Sequence, residues 1–149
     1  MVEFEDIKIK SFEIPNELPM NESRIDLEEA IKDYDNGCFI SCLVLCRRSY
    51  EGALLELFRS KEKKDPIEVR KCKKCNNELG RSYIGIVNMH NWAINKGYIN
   101  NKFKSIGILI SDLGAGGAHP PLQEFSRDKE VARVSIVTLI VLLKSIYNK

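Results

Sequence analysis

Histidine is scarce in this chain: among 149 residues only His90 and His119 occur. Acid–base or nucleophilic chemistry therefore has few candidates, and nothing in the chain forms a nucleophilic serine elbow. Charge of one sign is also lacking. Lys and Arg number 23 against 21 Asp and Glu, a formal net charge of +2, so the charge balance by itself implies neither a nucleic-acid nor a membrane partner. The longest apolar stretch, "VSIVTLIVLL" from Val134 to Leu143, is about half of the ~20 residues that a membrane-spanning helix needs. It reads as a buried helix. The amino terminus, "MVEFEDIKIKSF", has acidic residues where a signal peptide has a basic and then an apolar run, and the expectation is an intracellular, cytoplasmic chain without a membrane partner. Five cysteines, an odd number, argue against a secreted disulfide framework. No strand-rich region, internal repeat or low-complexity segment stands out, and the length suits one domain with one core.

What is present is helical periodicity. Residues 1–22 read as an extended arm, because Pro15 and Pro19 follow short alternating runs. Ser23 and Asp26 resemble a capping box for a first helix that carries Leu27, Ala30, Ile31 and Tyr34 inward and stops at Gly37. A second helix is predicted from about Cys38 to Ser60, with Ile40, Leu43, Val44, Leu54 and Phe58 on one face. Arg47 and Glu51 fall on that same face, four residues apart. They are expected either as a buried pair that sets register or as the lining of a polar pocket. Residues 61–78 read as a polar connector. A third helix from about Leu79 to Lys96 turns Tyr83, Ile86, Val87 and His90 inward, and a fourth from Lys102 to about Leu113 runs into the glycine-rich "SDLGAGGAHPP". Ser126 is the expected cap of the last helix, which is apolar nearly all round and needs cover on both sides from this bundle or a second copy. His90 is read as a hydrogen-bonded core residue, with a catalytic role as the alternative. The domain of residues 23–149 is thus all-α, an up-and-down bundle of four principal helices.

Two motifs bear on chemistry. In "SDLGAGGAHPP" the glycines follow a helix and no Lys-Ser/Thr pair comes after them, so neither a P-loop nor a dinucleotide fingerprint fits. In "KCKKCNNELG", Cys72 and Cys75 have the C-x-x-C spacing of half a tetrahedral thiolate site. A zinc ion there would need Cys38, Cys42 or Cys46, a histidine, or the same pair from a second chain. A reduced pair in a loop and a redox pair are the other readings.

The blocks "GCFISCLVLCRRSYEGALLELF", "WAINKGYI", "LGAGGAHPP" and "FSRDKEVARVSIVTLIVLLKSIY", in this order, resemble HEPN-like domains, and within them the branch called domain of unknown function 4145. The resemblance spans residues 25–147. It implies an up-and-down helical bundle that often dimerises. Some HEPN members are metal-independent ribonucleases or act in toxin–antitoxin and anti-phage systems; others are binding modules without activity. In the nuclease members an arginine holds the scissile phosphate, and a histidine separated from it by four to six residues activates the ribose hydroxyl. His119 matches that histidine. Asp112, Leu113 and Gly114 stand where the arginine is sought, and Gly114-Ala115 replaces the branch's common Gly-Asn.

The expectation is a non-catalytic or weakly active homodimeric module that binds a nucleotide, RNA or a protein in defence or toxin–antitoxin systems. Arg47, Arg48, Glu51 and His119 form its polar cleft, and zinc at Cys72 and Cys75 is its one candidate cofactor. One alternative is a metal-independent endoribonuclease in which Arg47 or Arg48 replaces the missing arginine and acts with His119 and Glu51. The other is an assembly protein whose last helix makes the interface.

Overall fold

Asn21 starts the first helix, α1 (Glu22–Asp35), by accepting the Arg24 N–H on its side-chain oxygen at 3.0 Å; this satisfies one of the donors that a helix start leaves free. Ser23 and Asp26, read from sequence as a capping box, are instead buried. The computed structural model describes residues 12–116 and 128–147. Ahead of α1, residues 12–21 are non-helical, and Leu18 is buried. Phe12 packs edge-on to Tyr34 with ring centroids 5.4 Å apart.

The second helix, α2 (Phe39–Glu62), is 24 residues long and so spans about 36 Å. It is the axis of the bundle, packing on α1, α3 (Ile86–Asn95), α4 (Lys104–Gly116) and α5 (Lys129–Tyr147). Its buried residues, Cys42, Leu43, Cys46, Ser49, Tyr50, Ala53, Leu54 and Leu57, recur every three or four positions, which is one helical face. Leu43, Leu54, Ile136, Leu139, Leu142 and Leu143 are fully buried. Each such side chain contributes roughly 1.5–3 kcal/mol, so this core holds the long helices together. The chain is mostly helical. Four described helices have thirteen residues or more and α3 has ten.

One stretch departs from the all-α expectation. Residues predicted as a connector and the start of the third helix form an antiparallel hairpin, β1 (Ile67–Lys71) and β2 (Glu78–Tyr83), with Ile67 opposite Tyr83 and a bulge at Arg70/Lys71. Gly80 at φ +156° is outside helical geometry, and Leu79 and Tyr83 point into solvent rather than inward. Helix α3 begins only after Gly85. The alternating Ile67 and Val69 were the available strand signal.

At the far end Asp128 caps α5, its carboxylate accepting the N–H groups of Glu130 at 2.7 Å and Val131 at 3.3 Å; Ser126 lies outside the described residues. Helix α5 buries Ala132, Ser135, Ile136, Leu139, Leu142, Leu143 and Ile146. The opposite face is open, with Val134, Val137 and Val141 exposed. Tyr147 returns to the start of the bundle: its hydroxyl donates to Glu56 at 3.1 Å and accepts from Asn21 at 2.9 Å. Burial and the Glu56 carboxylate push that hydroxyl's pKa up to about 12, which keeps it a donor. No helix among the described residues is long and apolar enough to cross a membrane.

Candidate functional site

Two adjacent arginines on α2 point to different neighbours, because successive helical residues are about 100° apart. Arg47 turns to α4. A side chain at Gly114 would strike the Arg47 stem, with Cδ only 2.8 Å and Cγ 3.1 Å from the added carbon. The glycine thus lets the stem lie flat against the α4 backbone near the helix end. The Arg47 Nε is buried and has no hydrogen-bond partner among the described residues. Glu51, one turn on, is half-buried, and the described residues contain no ion pair between it and Arg47. The predicted buried pair is replaced by the packing of Arg47 on Gly114, which directs the arginine stem toward α4 and away from its own helix.

Arg48 turns to α1. Its Nε and Nη2 fork onto the two oxygens of Asp26 at 2.9 and 2.5 Å. Asp26 is 5% exposed whereas the Arg48 side chain is 66% exposed, so the pair reaches from the α1–α2 seam into water. The carboxylate raises the guanidinium pKa still further. Ser49 lies in the same seam and donates to the Ser23 carbonyl at 2.6 Å. Ser23, Asp26 and Ala30 share a helical face, and a carboxylate on that apolar stripe was the sequence signal for a buried partner.

His90 is the central polar group of the core. Its Nε2 bonds the Lys104 carbonyl at 2.8 Å, and its Nδ1 bonds the Tyr50 hydroxyl. A carbonyl only accepts, so the proton sits on Nε2 and Tyr50 donates to Nδ1. Desolvation lowers the His90 pKa and raises that of Tyr50, so both groups are neutral. Fully buried and doubly bonded, His90 is a structural link between α2, α3 and the start of α4. His119, expected from sequence in the polar cleft, lies outside the described residues.

Cys72 and Cys75 occupy the tip of the hairpin. Asn77 O accepts the Cys72 N–H at 2.8 Å and Cys72 O accepts the Asn76 N–H at 2.9 Å, while Asn76 adopts φ +61°. Hydrogen bonding from the Cys75 and Lys74 backbone and from the Cys75 side chain holds the Cys72 thiol below its ordinary range. Both thiols are free. The cysteines of α2 are different. Cys42 and Cys46 are buried in the core, and the Cys46 hydrogen bond and desolvation push the Cys42 thiol strongly up. They behave as small apolar side chains. No group of three or more Cys, His, Asp or Glu side chains among the described residues is arranged to hold a metal.

The structure thus brings Arg47 to the end of α4, keeps Arg48 on the α1 side of the same helix, and carries Cys72 and Cys75 away on a separate hairpin. Comparison with known proteins finds no match: no family model, no curated protein and no solved structure is similar to this chain.

Proposed function

We propose that this chain is a HEPN-like helical module that binds a phosphate-bearing partner, RNA or a nucleotide, at the carboxyl-terminal end of α4 beside Gly114. The observation that carries the reading is the Arg47 Nε, buried without a partner among the described residues beside Gly114. A buried donor left unpaired costs about 1–3 kcal/mol, and more when it is charged. A phosphate oxygen satisfies it with a charge-assisted bond. The Arg47 stem is packed against α4, so little side-chain freedom is lost when an anion arrives. His119 and Glu51 complete the cleft in this reading. Arg48, already forked on Asp26, contributes only long-range charge. The module binds without cleaving, because no arginine stands at Asp112, Leu113 or Gly114.

The test is binding and cleavage of a mixed-sequence RNA at low and moderate salt. Arg47→Met keeps the stem on Gly114 and removes the charge; His119→Ala removes the imidazole. Salt-sensitive binding that falls at least tenfold in Arg47→Met supports the reading. Products ending in a 2′,3′-cyclic phosphate, lost in both variants, would instead make the chain a ribonuclease with a rearranged arginine. Indifference of the parent protein to RNA and nucleotides sinks both.

A second reading, a homodimeric assembly module, is favoured by α5. Val134, Val137 and Val141 are spaced i, i+3, i+7 on one exposed face, the spacing of a helix–helix seam.

A further inference from the structure

The hairpin that carries Cys72 and Cys75 stands apart from the bundle core. Every residue of β1 is exposed, and β2 is exposed except at Gly80. Its base is fastened by Pro66, whose carbonyl accepts the Ile84 N–H at 2.7 Å, and by Arg59, which binds Asp65 at 2.5 Å and reaches the Tyr83 hydroxyl at 3.5 Å. Residues 73–77 at its tip are all exposed. A two-stranded hairpin with neither face covered is marginal on its own, so its tip calls for another source of order.

The tip has the geometry of a metal-binding knuckle. The chain reverses between Cys72 and Asn77 through the left-handed Asn76. The reversal is pinned on both sides of Cys72, whose N–H donates to the Asn77 carbonyl at 2.8 Å and whose carbonyl accepts the Asn76 N–H at 2.9 Å, so the turn that carries the pair is formed by the backbone itself. Cys75 is three residues on, the spacing at which two sulfurs reach one tetrahedral ion. Arg70, Lys71, Lys73 and Lys74, all exposed, surround the pair with positive charge. That charge favours thiolates and offsets the excess negative charge of a tetrathiolate zinc centre.

Two thiolates fill half of such a centre. Cys42 and Cys46 are committed to the core, and no third Cys, His, Asp or Glu among the described residues joins the pair. We propose that Cys72 and Cys75 bind zinc together with the same two residues of a second copy, so that one tetrahedral zinc, held by four thiolates, joins two hairpin tips. Each thiol gives its proton to solvent as its sulfur binds, and zinc undergoes no redox change. Two tips bearing the same basic residues repel one another in the absence of metal. Pairing at this site is therefore zinc-dependent. The inference is independent of the Arg47 reading and uses different residues, so either can fail alone.

Native mass spectrometry of the full chain, prepared under reducing conditions with added zinc, tests this directly. The expected species is a dimer holding one zinc, converted to metal-free monomer by a chelator. Cys72→Ser and Cys75→Ser should each abolish both zinc retention and zinc-induced pairing, with unchanged helical circular dichroism because the hairpin is outside the core. Cys38→Ser, at an exposed cysteine on α2's amino-terminal cap, should behave as the parent. Cobalt in place of zinc should give the charge-transfer and ligand-field spectrum of tetrahedral tetrathiolate coordination. One zinc per monomer would overturn the proposal, since the remaining ligands would then come from the same chain. So would a monomer that binds no zinc, or a dimer that survives chelation and dissociates only with a reductant.

Discussion

The imidazole of His90 occupies the space that a side chain at Gly107 would need. A methyl group on Gly107 would overlap Cε1, Nδ1 and Nε2 of the ring, and the ring has nowhere to move because Tyr50 and the Lys104 carbonyl hold both nitrogens. Glycine within α4 is therefore a packing requirement of α3. It outweighs the helix propensity of about 1 kcal/mol that glycine forgoes relative to alanine.

Gly107→Ala should destabilise the fold by about 2–3 kcal/mol, the overpacking and hydrogen-bond losses exceeding the propensity gain. Urea unfolding measures it. A neutral or stabilising result would show that α4 shifts away from His90 at little cost.

Stability should fall with acid in a His90-dependent way. The folded-state pKa of His90 is lowered from 6.5, so below that value the unfolded chain takes up a proton that the folded chain refuses. Stability is thus complete above the unfolded pKa and declines as pH drops toward the folded one. Comparing urea midpoints between about pH 7.5 and pH 5.5 for the parent and His90→Gln should show a shallower decline in the variant. Parallel curves would remove His90 from the acid response.

Tyr50→Phe should cost about 1–3 kcal/mol at neutral pH, because it leaves Nδ1 of a fully buried ring without its donor. Thermal or urea unfolding reads this loss, which should shrink in the His90→Gln background if the two groups act as a pair.

The two halves of the Asp26–Arg48 fork should respond unequally. Arg48→Ala strands a carboxylate that is 5% exposed and should cost about 2 kcal/mol, whereas Asp26→Ala frees an arginine that already reaches water and should cost less. Equal losses would mean that the pair's packing, and not desolvation of the carboxylate, sets the energy.

Val137→Glu tests the open face of α5. Val137 is 45% exposed, so the charge should leave monomer stability within about 0.5 kcal/mol of the parent. If α5 is a subunit interface, sedimentation should show a lower oligomeric state. The zinc-dependent pairing through Cys72 and Cys75 should persist in this variant, which separates the two interfaces.

The helices were legible in the chain because a 3.6-residue apolar period is a local property. Leu27, Ala30 and Ile31 on α1, and Leu43 and Leu54 on α2, fall inward where their spacing says. Gly37 and Gly97, both at positive φ, mark turns that a glycine announces by itself. The hairpin was harder to read, since five exposed residues of β1 have no buried face to impose a strict alternation. Which polar groups meet was decided only by the tertiary structure. Arg47 and Glu51 share a helix and a spacing that allow contact, yet Gly114, sixty-seven positions along the chain from Arg47, removes the side chain that would have kept the arginine stem off α4. Asp26 finds Arg48, and Tyr50 finds His90, across helix seams that no local pattern specifies. Periodicity determines which face of each helix turns inward; the partner of a buried charge depends on how those faces are juxtaposed, which is a property of the packed bundle as a whole.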